Sequence, residues 1–497
     1  MKTLIFTTLL CLVFVGAIAQ EAGTLDVAFN KTGIKIFSVE SNVGSAALAT
    51  TAQLDGKLLV GGVHSVGGDV EAYVVRLHPD GTFDSTFHFD GKVTIDMSNE
   101  DLDELQDMIA RPDGKILTVG ATKKGGDYDV QVFQLMPDGA LDPNFGALGV
   151  SQLDIDPLMN DRAEGMRLAS DGSCFIIGTS TGNNQQYSWV IKLTPQGQPD
   201  QSFGTNGRFI LDENDPVVVK DLVVLPDNRV ILGADYFGAN SATIGLVGLT
   251  ANGTLDVGFG NGGVALHPLS SAQADLIMGL AITPDQSKLM VIGMTDDNSV
   301  DILLARFSIS GGKDLSFGNN GYLKVDLSIG ADDMVTSGLV QGDGKILVQG
   351  TIGDEMYVAR FQEDGQLDAG FNSTGYWRYN LNPGDEDTPT ALNLDRHGRI
   401  ISVGYFQKAG LFLSFCLAHH VGSAPTGMDR LTPTALRAYP NPTEGLFTVE
   451  LPAFSGSANW QVVDMQGRVV FSTAVTAAVD RLQIDASAWA SGIYTLV

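Results

Sequence analysis

Asp200-Gln-Ser-Phe-Gly-Thr-Asn-Gly207 is one of seven copies of a single phrase: Asp, two residues, Phe, a residue that is mostly Gly or Asn, two residues, Gly. The copies begin at Asp26, Asp84, Asp142, Asp200, Asp256, Asp314 and Asp368, so the successive spacings are 58, 58, 58, 56, 58 and 54. Their aromatic members are Phe29, Phe87, Phe145, Phe203, Phe259, Phe317 and Phe371. Their closing glycines are Gly33, Gly91, Gly149, Gly207, Gly263, Gly321 and Gly375. A period this long and regular means one structural unit repeated, each burying its apolar face on the next. A residue present in every copy is most simply a scaffold residue, so the phrase speaks of shape before chemistry.

Working outward from the second copy, Lys92-Val-Thr-Ile-Asp96 alternates as a short strand after Gly91. An acidic loop follows, then a strand from Leu105 to Arg111, a turn at Pro112-Asp113-Gly114 and a strand Lys115-Ile-Leu-Thr-Val-Gly120. A Gly-rich loop at Gly125-Gly126 leads to a fourth strand, Val130 to Leu135, and Pro137-Asp138-Gly139 opens the next phrase. Asp-Gly between apolar runs marks a hairpin, because such turns need positive φ. It recurs at Asp55-Gly56, Asp171-Gly172 and Asp343-Gly344, with Asp227-Asn228 and His397-Gly398 as variants.

Four short antiparallel strands per repeat, arranged radially, make a β-propeller blade, and seven copies predict seven blades in an all-β chain. A helical solenoid is disfavoured, because no copy carries a helical stripe of about 10–12 residues. The first copy starts with the phrase and the strand Ile34-Lys-Ile-Phe37, and the last ends on its fourth strand, Leu411 to Ala418. The N-terminal strand is therefore expected to supply the outer strand of the final blade and close the ring, removing two sheet edges together.

Within the phrase, the position after Phe is Asn30, His88, Gly146, Gly204, Gly260, Gly318 or Asn372, residues that tolerate left-handed geometry. The Asp is expected to accept backbone N–H groups in its own loop. The Phe is expected to plug the space between neighbouring blades. No cofactor is expected. Calcium is the one ion these aspartates could serve, but it needs about 6–8 oxygens, and each phrase offers one constant Asp with no D-x-D-x-D-G ladder.

The 497-residue chain carries 58 Asp+Glu against 30 Lys+Arg, a net charge of −28. That charge repels nucleic acid and anionic membrane surfaces and suits cations or basic partners. Lys2, the apolar run from Leu4 to Val15 and Ala17-Ile18-Ala19 read as a signal peptide over residues 1–19, cut between Ala19 and Gln20. Cys11 lacks a lipoprotein context. No later stretch approaches the roughly 18 apolar residues of a membrane span. Cys174 and Cys416 sit in apolar strand patterns of different repeats and read as buried free thiols.

Chemistry is hard to find. There is no H-E-x-x-H, G-x-S-x-G, P-loop or C-x-x-C. His64, His78, His88 and His267 occupy unrelated repeat positions, and His419-His420 would point to opposite faces of a strand. No catalytic, cofactor or metal residue is assigned. What varies between repeats is more informative. Ser98-Asn-Glu-Asp-Leu-Asp-Glu104 and Asn382-Pro-Gly-Asp-Glu-Asp387 are strongly acidic loops, whereas Pro268-Leu-Ser-Ser-Ala272 is not. In a propeller these loops share a face with a second set expected to carry Tyr128, Tyr187, Tyr236 and Phe237.

The pattern strongly resembles the delta-60 repeat family of bacterial secreted β-propellers, over about residues 23–421. Asp113-Gly-Lys-Ile-Leu117, Val358-Ala-Arg-Phe-Gln-Glu-Asp-Gly-Gln-Leu-Asp368 and Ser202-Phe-Gly-Thr-Asn-Gly207 carry the resemblance. It implies a fold more than a task, since the family has no general enzymatic assignment. The propeller is placed at residues 20–421, and a linker rich in Pro, Thr, Ser and Gly at 422–437.

Residues 438–497 open with Ala438-Tyr-Pro-Asn-Pro-Thr-Glu-Gly445, which holds Pro440, Asn441 and Pro442. They continue through Val462-Val-Asp-Met-Gln-Gly467-Arg-Val-Val470 to Ala488-Trp-Ala-Ser-Gly492-Ile-Tyr494-Thr-Leu-Val497. This order looks like the type A sorting domain of the type IX secretion system, a small β-sandwich. The resemblance implies handling by the type IX machinery of a Bacteroidota bacterium, a secreted or cell-surface location reached through the periplasm, and cleavage of the sorting domain. Family members continue past Gly-Ile-Tyr into another, basic strand, so a truncated domain is expected here.

Three functions follow: a non-catalytic binding or adhesion scaffold, which is preferred; a polysaccharide hydrolase or lyase with carboxylates meeting at a central channel; and a structural surface-layer component. The chain is read as a monomer with an extracellular glycan or protein ligand, no nucleic acid and no transmembrane segment.

Overall fold

The computed structural model describes residues 22–41, 43–95, 103–124, 126–183, 185–211, 217–238, 241–269, 274–384, 386–396, 398–408 and 410–419, together with strands at 437–439, 446–450, 457–464, 469–476, 481–485 and 494–496. The signal segment with Ala19, and also Gln20, the linker up to residue 436, and Pro440, Asn441, Pro442, Gly445, Gly467 and Gly492 fall outside the described residues. The chain divides into two compact units, Met1–Ser423 and Ala424–Val497. Among the described residues no helix is long and apolar enough to cross a membrane.

The strands of the first unit pair antiparallel throughout the described residues, apart from one parallel pair. One repeat gives the strands Asp103–Ala110, Ile116–Lys124, Asp127–Leu135 and Val150–Leu153, hydrogen-bonded in that order. The strands are longer than the sequence pattern suggests because the hairpins stay paired up to their turns, as at Lys124 opposite Asp127. Five such four-stranded sheets occur, and two further four-strand sets are joined into an eight-stranded sheet by a single parallel pair, Ala242 with Ala274. Ile34–Phe37 pairs antiparallel with Leu411–His419, so one sheet combines strands from both ends of the repeat array.

The third strand of a sheet is buried on both faces, as in the unbroken run Val130–Leu135. The first strand alternates, as in Asp103–Ala110. Every first strand carries a β-bulge at the same place, for example between Leu105 and Asp107 and between Val335 and Ser337. A bulge bends the strand and increases its twist. Apolar clusters fill the spaces between successive sheets. One joins Leu58, Val60 and Tyr73 of an early sheet to Ile401, Val403 and Cys416 of the last. The same two sheets are clipped by the Thr390 hydroxyl on Ala47 O (2.9 Å) and Asn393 Nδ2 on Thr50 O (3.0 Å).

In the second unit, Arg437–Tyr439, Leu446–Glu450 and Arg481–Asp485 form one three-stranded sheet, and Ser457–Asp464, Val469–Thr476 and Tyr494–Leu496 form another. Tyr494 stands opposite Asp464.

Candidate functional site

The seven phrases lie at one end of the sheets, in the connection from third to outer strand. In each copy the Asp Oδ1 accepts the N–H two residues on, at 2.9–3.2 Å. The residue after Phe has φ between 45° and 55° in all seven copies. In six of them its N–H reaches a carbonyl beyond its own repeat, at 2.6–3.0 Å; Asn30 donates to Asp80 O, His88 to Asp138 O, and Asn372 to Ala22 O. The Phe rings are at most 2% exposed. Each packs over a turn glycine of another copy, Phe145 over Gly197 and Phe371 over Gly23 among them, where a Cβ would lie 2.6 and 3.1 Å from the ring.

The other Asp oxygen meets a cation in every copy. Arg399 pairs with Asp26, Arg76 with Asp84, Lys115 with Asp142, Lys192 with Asp200, Arg229 with Asp256, Arg306 with Asp314 and Arg360 with Asp368, at 2.7–3.1 Å. Four of these arginines also sit over the phrase Phe; Arg76 is 4.6 Å from the Phe87 centroid and Arg306 4.8 Å from that of Phe317. Hydrogen bonds from Ser202 and Lys192 pull Asp200 down to about 2, and those from Ser316 and Arg306 do the same to Asp314. At Asp142 burial opposes the shift, but Lys115, the Asn144 N–H and Gln134 outweigh it and hold the carboxyl at about 2. These carboxylates are fully engaged.

At the opposite end a second column of aspartates recurs. Asp103, Asp161, Asp275, Asp333 and Asp387 each stand 19 residues after a phrase Asp, are the first or second residue of the first strand of a sheet, and are at most 3% exposed. Asp103 and Asp387 were expected in solvated acidic loops. They are instead buried strand residues. Asp161 accepts the N–H groups of Ile155 (2.7 Å) and Asp156 (3.1 Å), and Asp387 accepts that of Leu381. The cross-strand neighbour can satisfy the other oxygen. Thr122 Oγ1 donates to Asp103 (2.7 Å), and Ser180 Oγ donates to Asp161.

Around two members of this column three carboxylates converge. Asp129, Asp154 and Asp161 bring one oxygen each to within 4.8 Å of the others, and so do Asp301, Asp326 and Asp333. The groups are three repeats apart and occupy equivalent positions. The first borders an open cleft of about 480 Å³ lined by Asp127, Asp129, Gln152, Asp154 and Pro157. Among the described residues no Lys or Arg ion-pairs with Asp127, Asp129 or Asp154; Gln152 Nε2 donates to Asp129 at 2.7 Å. Burial and the charges of Asp129, Asp127 and Asp156 push the Asp154 carboxyl up, and burial raises Asp161 to about 6.

The aromatics expected in the neighbouring loops lie on strand ends instead. Tyr128 stacks under the Arg162 guanidinium at 3.9 Å, while Tyr236 and Phe237 end Val230–Phe237. Tyr187 is buried, donates to Asp156 Oδ2 (3.0 Å) and is pushed up to about 12 by burial. His419 is buried against Trp377, and His420 lies outside the described residues. Cys174 and Cys416 are buried and unbridged.

First strands of three sheets do bring carboxylates together. Arg167 reaches Asp221 at 2.6 Å and Asp107 at 3.6 Å. Asp107 also accepts the N–H groups of Met108 and Met166, and Asp221 those of Leu222 and Leu280. Both clip neighbouring sheets.

Two family models match. One, a secretion system C-terminal sorting domain, covers residues 437–497; the other, a domain of unknown function (DUF5122) described as a β-propeller, covers 53–87, 111–145, 225–259 and 341–371. No curated protein matches the chain. Among solved structures, the polysaccharide lyase Uly1 is 9% identical with a TM-score of 0.47, over 75% of this chain and 89% of that one. The Cps50 (Swd1) β-propeller domain of Myceliophteria thermophila is 9% identical with a TM-score of 0.42, over 77% and 98%. A protein of unknown function from Dyadobacter fermentans is 13% identical with a TM-score of 0.39, over 78% and 99%. At these scores the likenesses carry no argument about activity. The matched tail and the repeated sheets make the chain a β-propeller protein with a type IX C-terminal sorting domain, exported to the cell surface or extracellular space.

Proposed function

We propose that this protein is a non-catalytic binding scaffold at the cell surface, whose ligand contacts the acidic loop end of a seven-bladed ring. The observation that carries this reading is the open cleft bordered by Asp127, Asp129 and Asp154, none of which forms an ion pair with a described Lys or Arg. Such a cleft offers acceptors to the hydroxyls of a glycan or to the cations of a basic protein. Seven blades closed by the N-terminal strand are supported by the pairing of Ile34–Phe37 with Leu411–His419 and by the Asn372 N–H on Ala22 O. We place the propeller at residues 20–421, after signal cleavage behind Ala19, with the phrase residues as its inter-blade scaffold.

A hydrolase reading is weaker. The carboxylates that meet across the first strands, Asp107 and Asp221, are held by Arg167 and by backbone N–H groups that clip neighbouring sheets.

A glycan array and a panel of basic extracellular proteins, probed with the full chain, test the reading. Retention without turnover, lost in the Asp127→Asn/Asp129→Asn variant, is expected. Turnover of any polysaccharide overturns it, as does retention that this variant leaves unchanged.

A further inference from the structure

We propose that Asp301, Asp326 and Asp333 form a divalent-cation site of the calcium class between two neighbouring sheets. Asp301 lies on the third strand Val300–Ser308, Asp326 follows the outer strand Tyr322–Val325, and Asp333 opens the first strand of the next sheet. One oxygen of each lies within 4.8 Å of the others. Asp326 faces solvent, while Asp301 and Asp333 are 1% and 0% exposed.

What separates this group from its equivalent at Asp129, Asp154 and Asp161 is the state of the buried oxygens. At Asp161 one oxygen takes the Ser180 hydroxyl and the other takes two backbone N–H groups. Opposite Asp333 the Ser180 position is occupied by Ile352, which has nothing to donate. Asp333 Oδ2 accepts the Leu327 N–H, but its Oδ1 is buried with no hydrogen-bond partner, and so is Asp301 Oδ1. The Tyr357 hydroxyl is likewise buried without a partner.

Charge decides what fills such a place. Lys324 is 2.8 Å from Asp301 Oδ2 and 3.8 Å from Asp297, and Asp326 and Asp333 add two carboxylates that ion-pair with no described Lys or Arg. Water would satisfy the lone pairs of the buried oxygens but not the charge, and an uncompensated buried carboxylate is costly. A divalent ion supplies both charge and ligand bonds. An all-oxygen carboxylate set suits calcium, which tolerates irregular geometry and completes its shell with water; zinc would want nitrogen or sulfur, and magnesium near-ideal octahedral placement.

The inference stands apart from the proposed glycan or protein ligand, because that cleft lies three repeats away. Calorimetric titration of metal-stripped full-length protein with calcium chloride at neutral pH tests it, on the parent chain and on Asp326→Asn, Asp301→Asn and Asp154→Asn. The expected result is one site saturating at ~0.1–1 mM, the range of extracellular calcium modules. It should weaken about tenfold or more in Asp326→Asn and Asp301→Asn and stay unchanged in Asp154→Asn. Asp326 is exposed, so its variant should keep the calcium-free melting midpoint while losing the calcium-induced rise. No uptake by the parent chain, or equal weakening in Asp154→Asn, overturns the proposal.

Discussion

Asp142 and Asp154 lie twelve residues apart in one repeat and obey opposite electrostatics. Asp142, in the phrase, is buried, bonded to the Asn144 N–H and paired with Lys115. Asp154, at the other end of the outer strand, is exposed and shares its surroundings with Asp129, Asp127 and Asp156, each pushing its carboxyl toward the protonated form. The same division holds along the array. At the phrase end every phrase Asp has its cation, and at the loop end negative charge accumulates. A charge neutralised in all seven copies is most economically part of the scaffold; one left uncompensated in a few is available to a ligand.

That contrast can be broken at several places. The largest effect is expected from Phe203→Ala, which empties a buried site over the Gly253 turn and should cost about 3–5 kcal/mol in denaturant unfolding. Asp84→Ala strands Arg76 without its buried partner and should cost about 3 kcal/mol. Gly197→Ala forces a side chain to φ +79° and against the Phe145 ring, and about 1–2 kcal/mol is expected. Asp154→Asn, at the loop end, should stay within about 0.5 kcal/mol of the parent. A loop-end cost matching the phrase-end cost would abolish the distinction.

Acid sharpens it. Asp142, Asp200 and Asp314 sit at about 2 when folded, below the ordinary ~3.9. Their contribution is present above about pH 4 and is lost as pH falls toward 2. Asp161 and Asp333 sit at about 6, so theirs is complete below about pH 4 and is lost as pH rises through 6. Urea midpoints measured from about pH 3 to 7 should therefore fall on both sides of a maximum near pH 4. Asp200→Asn should flatten the acid limb and Asp161→Asn the other.

Much of the scaffold was legible because Asp, Phe, Gly and the Asp-Gly turns recur in fixed columns of the repeat. The cations that complete each phrase were not. Arg76, Lys192, Arg306 and Arg360 come from the third strand, eight residues before their Asp, whereas Lys115 and Arg229 come from the residue just before the second strand, 27 residues before. Two sources and two residue types blur the column. The buried aspartates at 103, 161, 275, 333 and 387 had a readable signal, their constant offset of 19 from the phrase. It was obscured because Ser45 and Val219 fill that place in the other copies and because the neighbouring acidic residues suggested a solvated loop. The carboxylate groups depend on contacts between sheets, which no single repeat displays.

The most direct measurement is the thermal midpoint of Asp142→Asn beside that of Asp154→Asn, in the same buffer without calcium. The scaffold-and-surface account predicts a drop of several degrees for the first and no measurable change for the second. Equal drops, or a larger one for Asp154→Asn, would contradict it.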